Sequence, residues 1–119
     1  MRIKILPSAI KDLADGWKFY EQQNPGLGNY FGDSLFSDID SLALYAGIHR
    51  TTSGYFVMLA KRFPHAIYYK MEADVVIVWR VLDCRRDPRW TRTQLKKKLS
   101  RLSGFKFQIV SFSAFILHV

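Results

Sequence analysis

Lys61-Arg-Phe-Pro-His-Ala-Ile-Tyr-Tyr-Lys-Met-Glu-Ala-Asp-Val-Val-Ile-Val-Trp-Arg-Val-Leu-Asp-Cys-Arg-Arg-Asp-Pro-Arg-Trp90 is the stretch that decides the fold. His65–Glu72 and Val75–Leu82 are rich in β-branched and aromatic residues. Only Ala73-Asp74 separates them, so the two segments read as strands joined by a tight turn and paired antiparallel. Tyr55–Ala60, upstream, has the same texture and predicts a third strand of the same meander, preceded by a turn at Thr51-Thr52-Ser53-Gly54.

The composition changes further upstream. Arg2–Leu6 is a short apolar and basic run ending at Pro7, as a first strand would, with Ser8 as a candidate helix cap. From Ala9 to Gln23, Ile10, Leu13, Ala14, Trp17 and Tyr20 recur at spacings of three and four, which puts them on one helical face. Asn24-Pro25-Gly26 breaks that helix. Leu27, Phe31, Leu35, Ile39 and Leu42 then mark a second helix running to about Ala46. Two helices joined by a short turn form an antiparallel hairpin, which is the natural cover for a sheet with one apolar face. The expected fold is therefore α+β, with an N-terminal strand and a helical hairpin packed on a mainly antiparallel sheet of about four strands. A basic C-terminal helix over Trp90–Leu102 and an apolar tail complete it. Residues 1–103 form the expected domain and residues 104–119 an apolar extension.

A chain of 119 residues with 49% hydrophobic content suffices for one core. Its net charge of +8 is unevenly placed. Residues 1–50 hold five Lys/Arg against six Asp/Glu, and residues 51–119 hold thirteen against four, so the second part should meet an anionic partner. The single cysteine, Cys84, excludes an intramolecular disulfide, and no Cys/His spacing suits zinc. Two flanking arginines should lower its pKa, but with no base nearby in sequence it is not read as a nucleophile. No metal or cofactor is expected. The amino terminus lacks the apolar core of a signal peptide, and the uncharged tail is too short to span a bilayer, so a cytoplasmic protein without a membrane partner is expected.

Within the opening stretch, Arg62 precedes Phe63-Pro64, Tyr68-Tyr69 and the apolar run Val75–Val81 follow, and Arg86-Asp87-Pro88 and Trp90 close the segment. This order resembles the RelE/ParE superfamily of toxins from type II toxin–antitoxin systems, and with Ala9–Leu13, Tyr20, Pro25 and Phe31 the likeness extends over residues 2–92. It implies a compact toxin neutralised by an acidic, partly disordered antitoxin that wraps it, in a hetero-oligomer or with the toxin as a homodimer. The long helices and the Phe-Pro pair resemble the ParE branch, which poisons DNA gyrase. The alternative is a RelE-like mRNA endonuclease acting at the ribosome, and a second alternative is a non-toxic basic nucleic-acid-binding module.

RNA cleavage by a 2′-hydroxyl needs a proton acceptor, a proton donor and cations around the phosphorane. If the chain is a nuclease, the resemblance points to Arg62, Arg80 and Arg86 as catalytic, with His65 as acid or base. Many nuclease relatives have a His where this chain has Asp83 and a Tyr where it has Trp90, and these departures disfavour cleavage. Arg85, Arg89, Trp90, Arg92, Lys96, Lys97 and Lys98 are the candidate nucleic-acid or partner-binding residues. Plainer roles compete with these: an ion pair from Arg62 to Glu72 or Asp74, Asp87 as a cap, and core packing for Trp79 and Tyr68/Tyr69. The working surface is expected on the open side of the sheet near Arg62, Arg80 and Arg86. Phe105, Phe107 and Ile109 alternate with Lys106 and Gln108, which suggests a further strand.

Overall fold

The computed structural model describes residues 1–96. Lys97, Lys98 and the expected extension lie outside them, as does the second half of the expected basic helix. The architecture is α+β: β1 (Arg2–Ile5), α1 (Pro7–Gln23), α2 (Leu27–Asp40), a single turn α3 (Leu42–Tyr45), β2 (Thr51–Thr52), β3 (Tyr55–Leu59), β4 (His65–Glu72), β5 (Val75–Asp83) and α4 (Pro88–Leu95). The strands form one sheet in the order β1-β5-β4-β3-β2. Every pairing is antiparallel except β1 with β5, where Arg2–Ile5 runs parallel to Val75–Val78.

The hairpin and the meander occur as expected, with local differences. Pro7 begins α1 rather than closing a strand; its missing N–H is harmless at a first helical position. Ser8 is not the cap. Its hydroxyl donates to the Trp79 carbonyl, at 2.7 Å. The long second helix is interrupted at Ser41, where α2 gives way to α3. Thr51-Thr52, expected in a turn, pairs with Tyr55-Phe56 as a fifth strand, and the turn shrinks to Ser53-Gly54, both at positive φ (53° and 82°), the primed geometry that matches strand twist.

Glu21 sets the angle of the helical hairpin. Its carboxylate accepts from the Gly26 and Gly28 amides, capping α2 from a position on α1. The helices touch closely enough that a Cβ on Gly16 would lie 2.5 Å from the Phe31 ring, and one on Gly28 would lie 2.8 Å from the Trp17 carbonyl.

The sheet is apolar on both sides. Ile5, Val76, Val78, Val81, Ile67 and Tyr69 pack with Leu13, Phe31, Leu35 and Ile39 of the hairpin. Tyr55, Val57, Ala66, Tyr68, Ile77, Trp79 and Leu82 form a second cluster on the other face, with Leu95 of α4. Trp79, Tyr68 and Tyr69 are all buried, so core packing is their role.

Candidate functional site

β1 is short and pairs only Val75–Val78, so among the described residues the upper edge of β5 has no strand beside it on that side. The start of α1 takes its place. Leu6 donates its amide to Val78, Ser8 reaches Trp79, and Asp12 accepts from the Val81 amide at 2.9 Å. A bulge in the β4–β5 register at this height pairs Tyr68 with Arg80 but Tyr69 with Val78, leaving Trp79 as the extra residue. A bulge re-aims the side chain that follows it. Trp79 joins the second-face cluster, and Arg80 points to Asp12, giving Nε–Oδ2 and Nη2–Oδ1 contacts of 2.7 and 2.9 Å, while its third nitrogen donates to Gln94 of α4.

α1, the top of β5 and α4 thus enclose a cleft of about 660 Å³. Ser8, Asp12, Tyr20, His65, Arg80 and Arg86 line it, along with the exposed ring of Phe19 and the Trp90 indole. His65 forms its inner wall. The ring packs 5.0 Å from Phe31 and 6.0 Å from Tyr20 between centroids, and Phe63 of the Phe-Pro pair closes the same aromatic group. His65 is 7% exposed, its Nδ1 has no hydrogen-bond partner among the described residues, and burial holds its pKa below the ordinary histidine value. It is a neutral imidazole near pH 7.

The arginines expected to act together are separated by their partners. Arg80, expected as a catalytic cation, is consumed by Asp12 and Gln94, because the bulge turns it from the open sheet toward the helices. Arg85 pairs with Asp83 at 2.7 Å and touches the Tyr20 hydroxyl. Arg89 pairs with Asp87, whose carboxylate also accepts from the Arg89 amide as the cap of α4. Arg86 has no ion pair among the described residues and stacks on the Trp90 ring, 3.9 Å from its centroid, at the cleft mouth. Arg62 is exposed on the β3–β4 connection and makes no ion pair with Glu72 or Asp74. Arg92 on α4 and Lys96, the residue that caps its end, are exposed.

Sequence reading did not find Asp12, Gln94 or Tyr20 as site residues. Asp12 lies 68 positions from Arg80, and nothing local marks the pairing. The Asp-x-Arg spacing, which occurs twice (Asp83-Cys84-Arg85 and Asp87-Pro88-Arg89), was a usable signal. In each, the carboxylate accepts from the amide two residues on and holds that residue's guanidinium. The Cys84 thiol is also corrected. Desolvation and the Asp83 carboxylate outweigh Arg50 and Arg85 and push its pKa up, so it is a poorer thiolate than the flanking arginines suggested. Among the described residues there is no cluster of His, Cys, Asp and Glu able to hold a metal ion, and no helix long and apolar enough to cross a membrane.

A family model described as the ParE toxin of the type II toxin–antitoxin system, parDE, matches residues 3–88, from β1 through the Asp83–Pro88 corner that closes the cleft. The chain belongs to the ParE toxin family. A solved structure described as the chromosomal ParDE TA system from P. aeruginosa resembles this ParE-family chain with a TM-score of 0.63 and 17% sequence identity, covering 68% of this chain and 92% of that one. At that identity the likeness is one of fold. No curated protein sequence matches. The family match ends at Pro88, the first residue of α4, so the rest of α4 and all that follows lie beyond it.

Proposed function

We propose that this ParE-family chain is a cytoplasmic growth-inhibiting toxin that acts by binding its target, DNA gyrase, and is neutralised by a cognate acidic antitoxin. The state of the cleft carries the preference for binding over cleavage. Of the two arginines that line it, Arg80 is already neutralised by Asp12, and neighbouring Arg85 is held by Asp83, which leaves Arg86. Three cations and three carboxylates line the cleft (Lys11, Arg80 and Arg86 against Asp12, Asp15 and Asp83), so its walls balance in charge. The Tyr20 hydroxyl is held protonated by burial. A neutral His65 could accept a proton, but acid–base cleavage also needs a proton donor, and the Tyr20 hydroxyl beside it has its pKa raised.

The outer surface suits an acidic protein partner better. Arg86, Arg92 and Lys96 are exposed on the corner, α4 and its C-cap, and electrostatic attraction at such a face speeds encounter with an acidic chain. The RelE-like reading retains one favourable observation, the Arg86–Trp90 stack beside His65. Induced expression in a bacterial host, followed by growth, total mRNA integrity and plasmid supercoiling in one culture, separates the two. Growth arrest with intact mRNA and altered supercoiling is expected. Arrest with fragmented mRNA would replace this reading by the nuclease one, and uninterrupted growth would remove the toxin activity altogether.

A further inference from the structure

His49 sits in the connection from α3 to β2, residues 46–50, which is the covalent link between the helical hairpin and the meander. It takes no part in the cleft, yet it is tied to the core. The Tyr69 hydroxyl lies 2.5 Å from His49 Nδ1 and 2.9 Å from the Gly47 amide nitrogen. The Tyr69 ring cannot follow the connection if it moves. It is fully buried, stacked on Phe56 at 5.2 Å between centroids and met edge-on by the His49 ring at 5.6 Å. Gly47 itself adopts a φ of 96°, a left-handed turn in which an added Cβ would lie 3.2 Å from the Met71 sulfur.

Proton counting fixes the state of this contact. The Gly47 N–H donates to the phenol oxygen, so the single hydroxyl proton is left for His49, and Nδ1 must accept it with a lone pair. The ring proton then sits on Nε2, and the imidazole is neutral. An imidazolium carries a proton on Nδ1 as well. Two donors would then point at the phenol oxygen, and the buried hydroxyl would lose its acceptor, which costs the desolvation of an unmade hydrogen bond.

We propose that this contact is an acid-sensitive latch: neutral His49 holds the 46–50 connection closed on Tyr69, and protonation of its ring releases the connection together with β2. That strand is only Thr51-Thr52, paired with Tyr55-Phe56, and the Arg50 carbonyl beside it accepts from the Val57 amide at 2.9 Å. Opening bares the outer edge of β3, whose N–H and C=O groups become available to another chain. Among the described residues, Tyr69 is the titratable group facing His49; burial raises its pKa, so it stays a neutral phenol where the imidazole titrates. Phe56 and Met71, packed nearby, bring no charge, and Arg50, next in the chain, exerts its field on Tyr68 and Cys84. Desolvation lowers the His49 pKa. The latch is therefore fully closed above about pH 6.5, the ordinary histidine value, and loosens as pH falls toward the lower pKa of the closed state. It joins the two halves of the chain and does not rest on the toxin reading.

Magnetic resonance of the ¹⁵N-labelled full-length chain tests it. At about pH 7.5, His49 should show a bare Nδ1 and a protonated Nε2. On lowering the pH to about 5, protection of the Gly47 amide, corrected for intrinsic exchange, should fall by up to about tenfold per pH unit within that window. The fall should be several-fold larger than for the amide of Leu13 inside α1, which reports the whole fold. An Nδ1–H tautomer at neutral pH overturns the proposal, and so does a Gly47 protection that merely tracks Leu13. His49→Asn puts an amide oxygen in place of Nδ1 without a titrating ring, so Gly47 should then follow Leu13; a fall as steep as the parent's overturns the latch. Should that chain fail to fold, the tautomer and the Gly47 response of the parent chain still decide.

Discussion

Replacing Asp12 by Ala removes the group that joins α1 to the upper edge of β5. The lost contacts are two charge-assisted hydrogen bonds from Arg80, at 2.7 and 2.9 Å, and one from the Val81 amide at 2.9 Å. The paired side chains are only 16% and 12% exposed, so water cannot readily replace the carboxylate, and Arg80 keeps Gln94 alone. Breaking a buried pair from one side costs about 3–5 kcal/mol, chiefly because the remaining charge is stranded. The reverse substitution, Arg80→Met, should cost less. Burial already pushes the Asp12 pKa above the usual carboxylate range despite its partner, so the orphaned acid can escape by taking up a proton. An acid whose folded pKa is raised supplies stability at low pH that is lost as pH rises through that pKa, so the Arg80→Met penalty should shrink on going from pH 7 to pH 4. In Asp12→Ala/Arg80→Met no charge is stranded, while the unpaired Val81 amide is common to both Asp12→Ala chains and cancels. The expected coupling energy is about 2–3 kcal/mol. Urea unfolding of the four chains, followed by circular dichroism, measures it. Additivity within about 0.5 kcal/mol, or a loss below about 1 kcal/mol for Asp12→Ala alone, would refute the view that this pair holds the cleft together.

The His65 pKa is lowered on folding, so below about pH 6.5 the unfolded chain binds a proton that the folded one refuses. Stability should be full above that pH and decline below it toward the folded pKa, with a shallower decline in His65→Asn; identical pH slopes in urea titrations would contradict this. Gly16→Ala and Gly28→Ala should each destabilise by about 1–3 kcal/mol through overpacking, the second more than the first because it meets the Trp17 backbone carbonyl as well as Glu21, whereas the first meets only the Phe31 ring. Equal melting temperatures for all three chains would argue against the tight helical contact. Arg86→Ala should weaken growth arrest while leaving the melting temperature within about 2 °C of the parent, as expected for an exposed cation away from the core. Full toxicity in that variant would remove Arg86 from the target-binding surface.

The hairpin and the meander were legible because their signals are local: apolar residues three and four apart on α1 and α2, alternating β-branched and aromatic residues on β3 to β5, and turn residues between them. Tertiary partners were not. Nothing in Arg2–Ile5 says that its neighbour is β5, 73 residues on, or that the pairing is parallel. Thr51-Thr52 looked like a turn because two residues are too few for periodicity; Tyr55-Phe56 makes them a strand. The candidate site was half visible. Arg86, His65 and Trp90 do line one cleft, but Arg80 was expected as a catalytic cation on the strength of the resemblance, and only the bulge at Trp79 reveals that it turns toward α1.

The charge excess of the second part of the chain overstates what it can offer a partner. Between Arg80 and Arg89 the sequence holds four arginines, and three meet a carboxylate at 3.1 Å or less. The two Asp-x-Arg units do this with local geometry alone, one ending β5 and the other starting α4, and each carboxylate's pKa is lowered first by its own arginine's hydrogen bond. They flank Arg86, which follows Arg85 and precedes Asp87 and so falls outside both units. It is left to stack on Trp90, an arrangement that keeps the guanidinium edge free to donate. The two clasps are not equivalent to the Asp12–Arg80 pair. Arg85 and Arg89 are 55% and 82% exposed, and exposed pairs contribute little to stability and are readily exchanged for a partner's carboxylate. Arg80 is enclosed and fixed. Among the described residues the corner therefore presents one cation without an ion pair and two exchangeable ones beside it, which suits a partner bearing several carboxylates along a flexible segment. For such a partner the on-rate should fall with added salt, while the Asp12–Arg80 pair beneath it stays intact.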